Sequence, residues 1–163
     1  MLIQTKEDHI NFLKHSVLEP ISALSKDEIQ TKFTFLLIGQ AIEILGAYLD
    51  KKPIRAKDQS SKRFELAIYK LFPKNYTLIN KQNFLYYQLR NFLIHSFIPS
   101  NKLLLVSNSQ KRADKHLSYE NNCLTLCCDI FYTDFETAVN KLIRKIEEDK
   151  IPLKKITGSE IEN

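Results

Sequence analysis

The sequence predicts a mainly α-helical fold: an up-and-down bundle of about five helices in one domain, with a small antiparallel β-meander before the last helix. Three observations predict it. Pro20, Pro53, Pro73, Pro99 and Pro152 each follow a stretch of helical periodicity, where a residue without an N–H, and hostile to helix before it, stops the element. Ser25-Lys26-Asp27-Glu28 and Thr133-Asp134-Phe135-Glu136 have the spacing of capping boxes, which open helices. After Pro99 the apolar period changes from helical to extended.

Taken in order, a first helix runs from about Lys6 to Leu18. A second, opened at Ser25, runs to about Asp50 and carries the longest apolar segment, Phe33 to Leu49. That segment includes Gln40 and Glu43 and is shorter than the roughly 20 apolar residues of a bilayer span, so it reads as a buried helix. A Lys-, Pro- and Ser-rich loop leads to a third helix near Lys62–Leu71, and a fourth covers about Tyr76–Phe97. Leu103–Val106 reads as a strand, and Leu117–Tyr119 and Leu124–Leu126 flank a Glu120-Asn121-Asn122 turn. The last helix opens at Thr133 and ends near Asp149. The domain spans residues 1–152, and the polar tail 153–163 is expected to fray.

At 163 residues, 44% hydrophobic and 26% charged, the chain is sized for one core burying roughly 70% of its unfolded surface. Its 24 Lys and Arg exceed 19 Asp and Glu, for a net +5, which favours anionic partners without demanding them. Acidic residues in the first ten positions and no apolar signal core predict a cytoplasmic protein with no membrane association. Cys123, Cys127 and Cys128 lack a second ligand pair at zinc spacing and read as reduced, partly buried thiols. No metal or other cofactor is expected, and no Gly-rich phosphate loop or Gly-X-Ser-X-Gly elbow is present.

The chemistry concentrates in the fourth helix, at Gln88-Leu89-Arg90-Asn91-Phe92-Leu93-Ile94-His95-Ser96. An Arg and a His inside an apolar helix signal either a satisfied polar network or a site, because burying an unpaired charge costs several kcal/mol. On an ideal helix Leu85, Leu89, Phe92 and Leu93 form the core stripe. Tyr87, Ile94 and Ile98 form a second strip, and a helix apolar on two faces needs two coverings. The second is expected to be a copy of the same helix in a partner subunit, which places the polar groups at a two-fold interface. Asn91 and His95, four apart, are neighbours able to hydrogen-bond. Arg90 and His95, five apart, diverge by about 140° and need a local distortion, a long reach or a partner subunit to meet. Pro99 puts His95 in the last turn, where the helix dipole favours cations. Gly39 and Gly46, costly in a helix interior, suggest close packing of the second helix on the fourth, with Glu43 on the same face. Glu43 then either pairs with Arg90 or is a solvated carboxylate.

Arg90-Asn91-(three residues)-His95 resembles the Arg-X4-6-His motif of the HEPN superfamily, including the polar residue after the Arg and the place near the end of a long apolar helix. The resemblance implies a dimer whose motif helices face one another across a cleft, and in many members a metal-independent endoribonuclease. By that likeness the RNA 2′-hydroxyl attacks the adjacent phosphate, His95 is general acid or base, Arg90 stabilises the phosphorane, and Asn91 positions the His or the phosphate, with Glu43, Tyr87 and Ser96 in support. Superfamily members include toxins with antitoxin partners, phage-defence proteins and RNA-processing factors, so an antitoxin or regulatory protein is a candidate partner. Other members are noncatalytic nucleotide- or protein-binding dimerisation modules, and that reading stays open, as does a helical interaction protein in which Arg90, Asn91 and His95 form a buried network. His9 and His15 point apart and do not make a metal pair; His116 is expected to face solvent at a strand edge. Lys51, Lys52, Arg55, Lys57, Lys62, Arg63, Lys111 and Arg112 form either a phosphate-tracking surface, with Tyr86 and Tyr87 to stack bases, or a solvated charge run.

Overall fold

The computed structural model describes residues 2–107 and 113–157, apart from the side chain of Thr157. It is mainly helical, with a small sheet next to the last helix. A strand β1 (Leu2–Ile3) precedes α1 (Lys6–Asn11), a π-helical segment (Phe12–Leu18) and α2 (Glu19–Ser25). A 3₁₀ turn (Glu28–Gln30) leads into α3 (Thr31–Leu49), followed by α4 (Ser60–Leu71) and α5 (Lys74–Ile79). A second 3₁₀ turn (Lys81–Asn83), a second π-helical segment (Tyr86–Phe92) and α6 (Leu93–Ser96) complete the first part. Then come β2 (Leu103–Val106), β3 (Tyr119–Glu120), β4 (Cys123–Cys127), α7 (Cys128–Glu147) and β5 (Ile156–Thr157).

Several boundaries depart from the sequence reading, each for a local reason. Pro20 does not end the first helix. The π-helical turn before it bonds the Glu19 N–H to the Lys14 carbonyl, five residues back, and this wider turn accommodates a residue with no N–H. Ser25 is not a cap; its hydroxyl donates to Ser22 O at 2.9 Å, while the Asp27 carboxylate accepts from Ile29 N. The true capping box is Thr5 with Asp8, at the start of α1. Thr133 likewise lies inside α7, donating back to Asp129 O, because β4 passes directly into the helix at Cys128. The fourth helix is not continuous from Tyr76: Gln82 and Asn83 take left-handed conformations (φ 52° and 59°) and break it.

The sheet has the order β2-β4-β3. Asn121 and Asn122, both at positive φ (50° and 62°), make the tight turn between β3 and β4, the conformation Asn tolerates best after Gly. β2 pairs with β4 in parallel, unlike the expected all-antiparallel meander, because β4 lies between β2 and β3 in the sheet rather than beside β3 alone. The tail does not fray at Pro152. Lys154 donates to Ala47 O and, at 2.6 Å, to Asp50, and β5 pairs with β1, so residues 153–157 belong to the fold.

The core lies around α3 and α7. Phe35, Ile38, Ile42 and Leu45 of α3 meet Phe131, Phe135, Leu142 and Ile146 of α7, all fully buried. The stretch Glu28–Leu49 is long and apolar enough to cross a membrane, but its apolar side is the centre of this core. His116 is half-buried rather than solvent-facing. The Cys127 amide donates to its Nδ1 at 3.0 Å and Tyr76 Oη lies 2.9 Å from its Nε2. The neutral ring therefore carries its proton on Nε2 and donates to Tyr76, which donates to Asp134 at 2.7 Å. That chain of bonds ties the sheet to α5 and α7. Cys127 and Cys128 are buried thiols outside any disulfide, and burial pushes the Cys128 thiol up to about 11.

Two predictions follow from this packing. A Cβ at Gly46 would lie 1.9 Å from the Arg63 carbonyl oxygen, whereas one at Gly39 would lie 3.4 Å from Leu89. In urea denaturation Gly46→Ala should therefore lose about 3 kcal/mol and Gly39→Ala should stay within about 1 kcal/mol of wild type. Burial holds the His9 and His116 imidazoles below their ordinary value, more than the neighbouring Asp8 and Asp134 raise it. Their contribution to stability is thus complete above pH about 6.5 and is lost as the pH falls below it, since the unfolded chain binds those protons more readily. Denaturation midpoints should drop between pH 7 and 5, and the drop should shrink in His9→Gln/His116→Gln.

Candidate functional site

The motif helix covers residues 84–96. Its central turn is π-helical, with the Leu93 N–H bonded to the Gln88 carbonyl. This turn sets which side chains face inward. Leu85, Leu89 and Leu93, each four apart, are buried, while Phe92 is 45% exposed instead of joining the core stripe. A wider turn aligns residues four or five apart and rotates the third away. For the same reason the offset between Arg90 and His95 is smaller than on an ideal helix.

This helix crosses α3 at Gly39, where a Cβ would lie 3.4 Å from Leu89. Gly46 does not contact it; it accommodates α4 at Arg63. The approach at Gly39 brings Arg90 to Glu43, one turn further along α3. Arg90 Nε donates to Glu43 Oε2 at 2.9 Å, and Ser60, the first residue of α4, donates to the other oxygen at 2.7 Å. The Arg90 and Glu43 side chains are 25% and 22% exposed, so the guanidinium is oriented by a carboxylate yet keeps access to solvent. Ser60 was not evident as a participant from sequence, because its contact spans the loop between α3 and α4.

The other motif residues are placed differently. His95 is exposed and Asn91 half-buried, and neither side chain hydrogen-bonds among the described residues; Asn91 and His95 do not pair. Phe97 at φ 55° ends the helix, leaving His95 in its last turn. Ser96 closes that end through bonds to Phe92 O and Ile98 O, and Ser100 donates to Gln88 Oε1, tying the following loop back onto the helix. Tyr87 is half-exposed and packs edge-on against Tyr86. Phe33, Tyr87, Phe92, Phe97 and Ile98 are each at least 45% exposed. Phe33 and Phe97 meet edge to face at 6.4 Å, beside a cavity of about 230 Å³ lined also by Lys32, Leu36 and Leu93.

Among the described residues no group of three or more His, Cys, Asp and Glu converges as a metal site. Lys111 and Arg112 of the expected basic surface lie outside the described residues. Comparison of the chain with protein families, curated proteins and solved structures finds no match.

The Glu43–Arg90 contact should be modest in energy, as expected of a pair open to solvent. A double-mutant cycle of Glu43→Ala and Arg90→Ala in urea denaturation should give a coupling of about 1 kcal/mol, with each single variant still folded.

Proposed function

We propose that the chain is a metal-independent endoribonuclease of HEPN type, cleaving RNA by 2′-hydroxyl attack at a site built on Arg90 and His95. The observation that carries the reading is a guanidinium fixed by Glu43 but still solvent-accessible, on a short helix whose last turn presents an exposed imidazole. In this mechanism the 2′-oxygen attacks phosphorus as its proton leaves to a base, and the bond to the 5′-oxygen breaks as that oxygen is protonated. His95 performs one of these transfers. Arg90 neutralises the charge building on the phosphorane, and its fixed orientation avoids reorganisation during the reaction. Asn91, half-buried between them in sequence, is free to bind phosphate or the ring.

His95 gives the site one proton-transfer group per chain, so a second subunit supplies the other. The exposed apolar side chains on and beside the motif helix support a homodimer through this face, since a strip this apolar is unusual on a surface without a partner. The expected Tyr76–Phe97 dimer element is thereby reduced to the 84–96 helix, Phe97, Ile98 and Phe33. An antitoxin or regulatory protein is the alternative occupant of the same face.

A second reading is a noncatalytic nucleotide- or protein-binding module of the same type. It is favoured by the lack, among the described residues, of a side chain hydrogen-bonded to His95. Cleavage of total RNA in EDTA distinguishes the two. Wild type should leave 2′,3′-cyclic phosphate and 5′-hydroxyl ends, and His95→Ala should slow the reaction by about 10²- to 10⁴-fold. Intact RNA with both proteins would favour the binding module.

A further inference from the structure

The chain's positive charge is not spread over its surface. Residues 50–63 hold six Lys and Arg and two Asp, four of the chain's five net positive charges. Lys51, Lys52, Arg55, Lys57 and Lys62 are exposed, and among the described residues their side chains make no hydrogen bond or ion pair. Like charges gathered without counter-ions repel one another, which disfavours the folded loop unless an anion offsets them.

The loop that carries them is built to hold them outward. Three consecutive carbonyls face inward onto cations: Lys52 O accepts from Lys154 at 2.5 Å, Pro53 O from Arg63 at 2.6 Å and Ile54 O from Arg63 at 2.5 Å. Arg63 is 3% exposed and also binds Asp50 at 2.7 Å. Asp50 is engaged by both Arg63 and Lys154. Burial raises its carboxyl, but those two partners outweigh burial and hold it below the usual carboxylate range. Of the two carboxylates in residues 50–63, Asp50 is therefore already committed to Arg63 and Lys154, which leaves Asp58 against five exposed cations. Lys51, Lys52, Gln59 and Lys62 rim a cavity of about 320 Å³ over a floor of Asp50 and Arg63.

We propose that this loop is a phosphate-binding shelf for single-stranded RNA, which it feeds towards Arg90. The connection is physical: α4 begins at Ser60, directly after the loop, and Ser60 bonds Glu43, which holds Arg90. Phe64, one residue beyond Arg63, packs on Tyr86, and Tyr86 on the half-exposed Tyr87, so an aromatic surface for base stacking adjoins the same helix. The loop has no exposed large apolar side chain with which to enter a bilayer. Phosphate contacts position a strand without reading its sequence, so the shelf supplies affinity and path rather than cleavage specificity. The shelf rests on the ribonuclease reading only for the destination of the strand.

The test is fluorescence anisotropy with a labelled single-stranded 2′-O-methyl oligonucleotide, which lacks the attacking hydroxyl and so reports binding alone. With an oligomer of about 20 nucleotides between about 50 and 200 mM salt, Lys51→Ala/Lys52→Ala/Lys62→Ala should weaken binding about tenfold or more. It should also lower the slope of log affinity against log salt by about 2, near 0.7 per lost phosphate contact. A control removing equal charge elsewhere, Lys14→Ala/Lys26→Ala/Lys81→Ala, should bind as wild type does. Unchanged binding by the shelf variant, or an equal loss in the control, overturns the shelf. Shelf-dependent binding by a wild-type protein that leaves RNA uncut retains the shelf and removes the ribonuclease reading. Shelf-dependent binding to phosphatidylserine-containing vesicles with none to the oligonucleotide overturns it in favour of a membrane.

Discussion

The packing of two helices against α3, one of them at a position that only glycine can occupy, sets the arrangement of everything around them. At Gly46 the backbone of α4 lies where any Cβ would be, whereas at Gly39 a Cβ would make ordinary contact with Leu89 of the motif helix at 3.4 Å. Each close approach then brings a polar pair into place. Next to Gly46, Asp50 receives Arg63, and Arg63 pins the 50–57 loop; next to Gly39, Glu43 receives Arg90. Gly46 forgoes about 1 kcal/mol of helix propensity, and the approach of α4 that it permits outweighs it. The two candidate functional features, an oriented guanidinium and a cationic loop pinned by Arg63 and Lys154, both rest on α3 and are joined by the Ser60–Glu43 bond.

The second organising feature is the wide turn, which occurs twice. In the first helix it lets the chain continue through Pro20, and His9, Leu13, Val17 and Ile21, each four apart, face the core. In the motif helix it turns Phe92 outward beside Tyr87, so the outer face is apolar where the inner face is already satisfied. A residue in the left-handed conformation at Phe97 ends that helix abruptly and leaves the imidazole of His95 at an open end rather than in a packed groove. The site on one chain is consequently half enclosed, with one side built by α3 and the other open for a second surface.

The overall class was legible because helical periodicity, proline positions and the Asn121-Asn122 turn are local signals. The Glu43–Arg90 contact was legible because two glycines in a chain with only three mark where helices cross, although only Gly39 marks this crossing. What the ideal 3.6-residue wheel missed was the wide turn; the strict four-residue spacing of Leu85, Leu89 and Leu93 was its trace. Capping patterns misled at Ser25 and Thr133, where the same residue types bond back to a preceding carbonyl instead. The His116–Tyr76–Asp134 chain, Lys154 under the 50–54 loop, and Ser60 on Glu43 join residues 17 to 104 positions apart, and no local pattern encodes such contacts.

A ribonuclease built this way requires that the guanidinium oriented by Glu43 act on a phosphodiester. Chemical rescue asks this directly: Arg90→Ala, shown by its melting to be folded, is given RNA in EDTA with and without free guanidinium ion. Loss of cleavage on removing the side chain, partly restored by the added ion, is the predicted result. An Arg90→Ala protein that cuts at the wild-type rate, or a wild-type protein that leaves the RNA intact, would contradict it.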